Sequence, residues 1–133
     1  MDNTETLSPL VIVINSKKEF EYFRDRSLND KQLRDIEKVE LKLNQGIQLG
    51  SNFIQNPSDS DKALFLAMQL ISSIEQNDDQ KIALICAYLA TRYPQLKQIK
   101  ISRRDDDLSI ELINDKTFID QTPIKFIARK DLD

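Results

Sequence analysis

Hydrophobic positions along this chain change their spacing more than once, and the changes predict its elements. Leu10 to Ile14 is an unbroken, largely β-branched run, the pattern of a strand buried on both faces. Asn15 and Ser16 end it. Ser16 with Glu19 fits an S-x-x-E capping box, which predicts a helix over about residues 17–26 with Phe20 and Phe23 on its apolar side. After a second cap at Ser27 to Asn29, Leu33, Ile36, Leu43, Ile47 and Ile54 keep a 3-4-3-4 spacing if Glu40 and Gly50 are counted as weak members. That repeat predicts one long helix, with a break near Gly46 as the alternative, since Asn44-Gln45-Gly46 also reads as a helix end.

Asn56 to Ser60 is a loop dense in turn formers, and Ser58 or Ser60 caps the next helix, in which Ala63 to Ile71 is apolar except for Gln69. Its apolar arc is wide, and Phe65 and Leu66 are expected to point away from the main stripe. A further helix starts at Asp78 or Asp79 and carries nine uncharged residues, Ile82 to Ala90, so it should lie inside the molecule; Pro94 stops it. The period then falls to two. Leu96–Ser102 and Leu108–Ile113 read as strands joined through Arg103–Asp107, Thr117–Ile119 as an extension of the sheet, and Ile124–Ala128 as an edge strand opened by Pro123. The expected fold is therefore α+β: three to four helices packed on one face of a small, mainly antiparallel sheet formed largely by C-terminal strands, with Leu10 to Ile14 as a candidate member. Residues 1–8 are expected to be flexible and 9–133 to form one α+β domain.

Composition removes functions more readily than it assigns them. The 133 residues contain no histidine and one cysteine, so histidine-based acid–base catalysis, Ser-His-Asp and Cys-His systems, and zinc sites that need His or several Cys are excluded. The two glycines lie four residues apart in a helix-like context with no G-K-[ST] after them, which removes the glycine-rich phosphate loops. A net charge of −3 and a pI near 5.0 offer no long-range attraction to nucleic acid or anionic lipid. The acidic start and the short Leu10–Ile14 run lack the features of a signal peptide or membrane span, and the lone thiol suits a reducing compartment, so the expected location is cytoplasmic.

Candidate chemistry is sparse, and the expectation is no catalytic, metal or cofactor-binding residue and no cofactor. Cys86 sits among apolar neighbours and reads as packing. Arg103, Arg104, Asp105, Asp106 and Asp107 form the densest charge cluster, a candidate partner-binding tip whose plainer reading is a solvated hairpin loop; calcium would need more oxygens than it offers. Phe65 and Leu66 are the other candidate partner-binding residues. Lys97, Lys100, Arg103, Arg104 and Lys125 could line a basic sheet face, but Phe126 alternates toward the core, where it cannot stack on bases. The expected function is a small, non-catalytic protein-interaction or regulatory module, of the inhibitor, immunity-like or adaptor kind, that binds another protein or pairs as a homodimer. The alternative is a small-ligand binder or enzyme using carboxylate, arginine and tyrosine groups; nucleic-acid binding through the sheet ranks third.

Overall fold

The computed structural model of the chain describes residues 8–24 and 27–118. Its elements run β1 (Leu10–Ile14), β2 (Lys17–Tyr22), α1 (Asp30–Asn44), β3 (Ile47–Leu49), β4 (Asn52–Ile54), α2 (Asp59–Glu75), α3 (Asp79–Arg92), β5 (Gln98–Arg104) and β6 (Asp107–Ile113). The fold is α+β. A four-stranded sheet in the order β2-β1-β5-β6 is antiparallel except for the parallel β1–β5 pair, and β3–β4 form a separate two-stranded hairpin.

The apolar runs explain the core. Leu10 and Ile12 of β1 with Ile99 and Ile101 of β5 meet Ile36 and Leu43 of α1, Leu66 and Leu70 of α2, and Ile85, Tyr88 and Leu89 of α3. Burying each large side chain contributes about 1.5–3 kcal/mol. Helix α3 is buried from Ile85 to Ala90 without interruption, as its uncharged sequence requires. Val11 and Val13 alternate onto the opposite face of the sheet and are also buried, so β1 is enclosed on both sides.

One expected helix is absent and another is shorter than its repeat, each for a local reason. Residues 17–22 form a strand because Asn15 and Ser16 take φ of 49° and 71°, the paired left-handed turn that folds a two-residue hairpin. Glu19 then lies along β2, the Ser16 box is not made, and Phe20 and Tyr22 alternate inward against β1. The long heptad-like helix ends at Asn44. Gly46 takes φ +117°, its N–H donates to the Leu43 carbonyl at 3.0 Å, and Ile47 and Ile54 face each other across the β3–β4 hairpin. No coiled-coil seam runs through these positions, since Leu33 is 48% exposed while Ile36 and Leu43 are in the core. Three helices therefore occur among the described residues.

The loop expected over Arg103–Asp107 shrinks to Asp105-Asp106, with Arg104 and Asp107 already paired in the ladder. Thr117 and Phe118 lie in no strand, and the strand expected at Ile124–Ala128 falls outside the described residues, as does the N-terminus before Ser8.

One side chain ties these layers together. Arg24, just after β2, donates from Nε to the Ala90 carbonyl (3.1 Å), from Nη1 to Ser8 (2.5 Å), and from Nη2 to Tyr93 (3.1 Å) and Leu96 (2.5 Å). It thereby closes the C-terminal end of α3, where a cation also opposes the negative end of the helix dipole. Burial lowers its pKa, yet a guanidinium stays charged at neutral pH. Hydrogen bonds from a charged donor contribute about 1.5–3 kcal/mol each and are not additive within one group. Arg24→Ala should therefore cost about 2–4 kcal/mol in urea unfolding, with Arg24→Lys recovering less than half because an ammonium lacks the planar fork. A loss under about 0.5 kcal/mol would show that water replaces the guanidinium at these carbonyls.

Candidate functional site

The break at Gly46 builds the most distinctive surface on the molecule. With φ +117° the chain leaves α1 and enters the β3–β4 hairpin, which reverses at Gly50 with φ +61°. Ile47 is buried and Leu49 and Ile54 pack against the core, so this side anchors the hairpin. Phe53, paired with Gln48, lies across Gly46: a Cβ built there would come within 2.3 Å of its Cζ. The ring is nonetheless 62% exposed. Beneath it opens a cleft of about 510 Å³ between the end of α1, the hairpin, α2 and the start of α3. Phe53, Phe65, Leu66 and Leu84 supply apolar walls, Lys42 and Lys81 stand at the margins, and no aspartate or glutamate lines it. Neither lysine makes an ion pair among the described residues.

A second polar centre joins the three helices. Glu40 of α1 accepts from the Tyr88 hydroxyl at 2.5 Å and from Lys62 Nζ at 3.0 Å, with Arg92 Nε 3.6 Å away. Tyr88 is fully buried and Lys62 9% exposed. The Tyr88 hydrogen bond first, then Lys62 and Arg92, hold the Glu40 carboxyl below its ordinary range against the opposing effect of burial. Burial, reinforced by Glu40, raises the Tyr88 hydroxyl. Tyr93 packs edge-on to Tyr88 at 6.0 Å between ring centroids, and burial raises its hydroxyl too, which is enclosed without a hydrogen-bond partner among the described residues. Cys86 is pushed up to about 11 by burial. Glu40, Tyr88, Tyr93 and Cys86 all move away from neutrality, the opposite of what acid–base or nucleophilic work at neutral pH requires. The cluster clamps helices.

The candidate residues read from sequence fall in two separate places. Phe65 and Leu66 both line the cleft, but Leu66 is only 5% exposed and belongs to the core stripe of α2, so it forms the cleft floor rather than a free surface. Arg103 to Asp107 lie at the β5–β6 tip, where Asp105 takes φ 51° to make the turn. Arg103 pairs with Glu75 at the end of α2, and its N–H donates to Asn15 Oδ1 at 2.8 Å. Glu75 is ten residues along α2 from Phe65, about 15 Å by helix rise, so tip and cleft are distinct. No group of three or more His, Cys, Asp or Glu that could hold a metal ion occurs among the described residues.

The basic sheet face does not assemble either. Lys97 precedes β5, Arg103 turns toward Glu75, and the outward positions beside Lys100 include Glu111 and, across β1, an ion-paired Lys18 and Glu21. No aromatic ring alternates onto that face among the described strand residues, and Lys125 and Phe126 lie outside them. No helix among the described residues is long and apolar enough to cross a membrane.

Sequence reasoning missed Phe53, Lys42, Lys81 and Glu40. Glu40 carried a usable signal, because a carboxylate at an inward helical position needs a buried partner. The cleft residues had none, since three elements contribute them. No protein-family model, no curated protein and no solved structure matches this chain.

Two outcomes check this site. Because Glu40 binds its proton more weakly folded than unfolded, its stabilisation is complete above the ordinary value of 4.5 and disappears as pH falls through the lower folded value. Urea midpoints of Glu40→Gln should therefore fall less than wild type between about pH 7 and about pH 3; parallel curves would refute the coupling. Cys86 should resist maleimide in the native state and react fully in denaturant, and rapid native labelling would contradict its enclosure.

Proposed function

We propose that the chain is a small, non-catalytic protein-interaction or regulatory module that works in the cytosol, with the Phe53–Phe65 cleft as its binding surface. One observation carries the reading: an aromatic side chain held at 62% exposure over a glycine, at the mouth of an apolar cleft. A lone exposed apolar residue needs no explanation, but an aromatic lying against a glycine beside a concave apolar surface has the composition of an interface hot spot. The groups displaced away from neutrality support a binding role over an enzymatic one.

The small-ligand reading remains the second, because the cleft volume of about 510 Å³ also falls in the range of small-molecule sites. A photocrosslinking residue at Phe53 should yield discrete protein adducts in a lysate of the source cells, whereas one at Asp106 should not. A thermal-shift screen of metabolites and divalent cations should stay flat. A small molecule that raises native stability by about 2.7 kcal/mol at 100 times its Kd, and loses that effect in Phe53→Ser, would transfer the cleft to the rival reading.

A further inference from the structure

We infer that the cleft takes an acidic amphipathic helix of a partner protein, its apolar face against Phe53 and Phe65 and its carboxylates against Lys42 and Lys81; this rests on the interaction-module reading above. Charge complementarity identifies the occupant. The chain as a whole is acidic, with 22 Asp and Glu against 19 Lys and Arg, yet the cleft margin holds two lysines and no acid. Among the described residues some surface cations have ion-pair partners, as Lys18 has Glu21, Lys31 has Asp35 and Arg103 has Glu75, while others such as Lys17, Lys38 and Lys100 do not. Lys42 and Lys81 have none either, and it is their place on an acid-free cleft that sets them apart. They sit on different helices, α1 and α3, on separate walls of the cleft. An apolar ligand with no charge would leave both lysines beside a surface it dehydrates; a basic one would be repelled.

The helical form follows from the walls. Lining residues come one turn apart on three helices, Val39 and Leu43, Phe65 and Gln69, Lys81 and Ile85, so apart from the β3–β4 hairpin with Phe53 the walls are helical ridges and grooves. A helix presenting apolar side chains at i, i+3 or i+4, and i+7 can interleave with such ridges, while acidic residues flanking that stripe reach the margins.

The test pans the full-length chain against a displayed library of helix-forming peptides randomised at their surface positions. Enriched clones should carry aspartate or glutamate beside an apolar stripe. A representative clone should bind at least about tenfold more weakly to Phe53→Ser and to Lys42→Glu/Lys81→Glu. Its Glu→Lys counterpart should prefer the double variant to wild type. Both variants alter exposed or marginal side chains, and an unchanged unfolding midpoint confirms that they fold.

Clones that depend on Phe53 but ignore the lysine reversal would overturn the acidic-helix inference and leave the interaction module standing. So would light scattering that shows a dimer dissolved by Phe53→Ser, which would give the cleft to a second copy of the chain. If no enriched clone depends on Phe53, both readings fall; a Phe53-dependent thermal shift with dodecanoate in that case assigns the cleft to a long-chain carboxylate.

Discussion

A guanidinium with four carbonyl partners holds together parts of the chain that no apolar contact joins as directly. Arg24 reaches the last turn of α3, the turn through Pro94 and the lead-in to β1 at once. Helix α3 needs such a partner because Pro94, four residues after Ala90, has no N–H to donate to that carbonyl, and the carbonyls at a helix end have no partner within the helix. With that end fixed, β5 starts at a set height, and its parallel register with β1, Val11 opposite Gln98 through Ile14 opposite Ile101, is determined. A parallel pair has no turn of its own to set register, so the setting must come from what precedes it.

Glu40 does for the helices what Arg24 does for the strands. Apolar packing brings α1, α2 and α3 together without specifying their rotation, since Ala63, Ala67, Ala87 and Ala90 tolerate small slides. A carboxylate that must meet both Tyr88 and Lys62 fixes that rotation. Arg24 meets α3 at Ala90 and just past its end, and Glu40 meets it at Tyr88 and Arg92, so α3 is constrained in position at its end and in rotation over its last turns.

Much of the fold was legible because β1 and α3 are apolar runs that can only lie inside, α2 is apolar over a wide arc, and the β5–β6 hairpin alternates with a period of two. The failures came where two signals coincided. Ser16 and Glu19 stand three apart as a capping box does, but Glu19 through Tyr22 also alternates polar with apolar, and the left-handed Asn15-Ser16 pair decides between them. Ile47 and Ile54 stand seven apart both in a heptad and across a short hairpin, and Gly46 chooses the hairpin. The candidate site was legible only in Phe65 and Leu66, which share a helix with their own core stripe. Phe53, Lys42 and Lys81 gain meaning from tertiary proximity, which periodicity does not carry. The charged tip at Arg103–Asp107 stood out as the densest charge on the chain, yet three of the five residues of its apparent loop are strand.

The placement of β1 bears on how the protein emerges from the ribosome. The β1–β2 hairpin is made before its neighbour in the sheet, and the inner edge of β1 stays open until β5 appears some eighty residues later, after all three described helices. At ordinary elongation rates of about 5–20 residues per second, that is an interval of seconds in which Leu10 to Ile14 offers an unpaired, wholly apolar edge. Lys17, Lys18, Glu19 and Glu21 on the companion strand are the charges nearest that edge during the wait. The charges of β2 thus stand beside the apolar strand well before the full sheet is complete, as charged neighbours of unavoidable apolar strands commonly do.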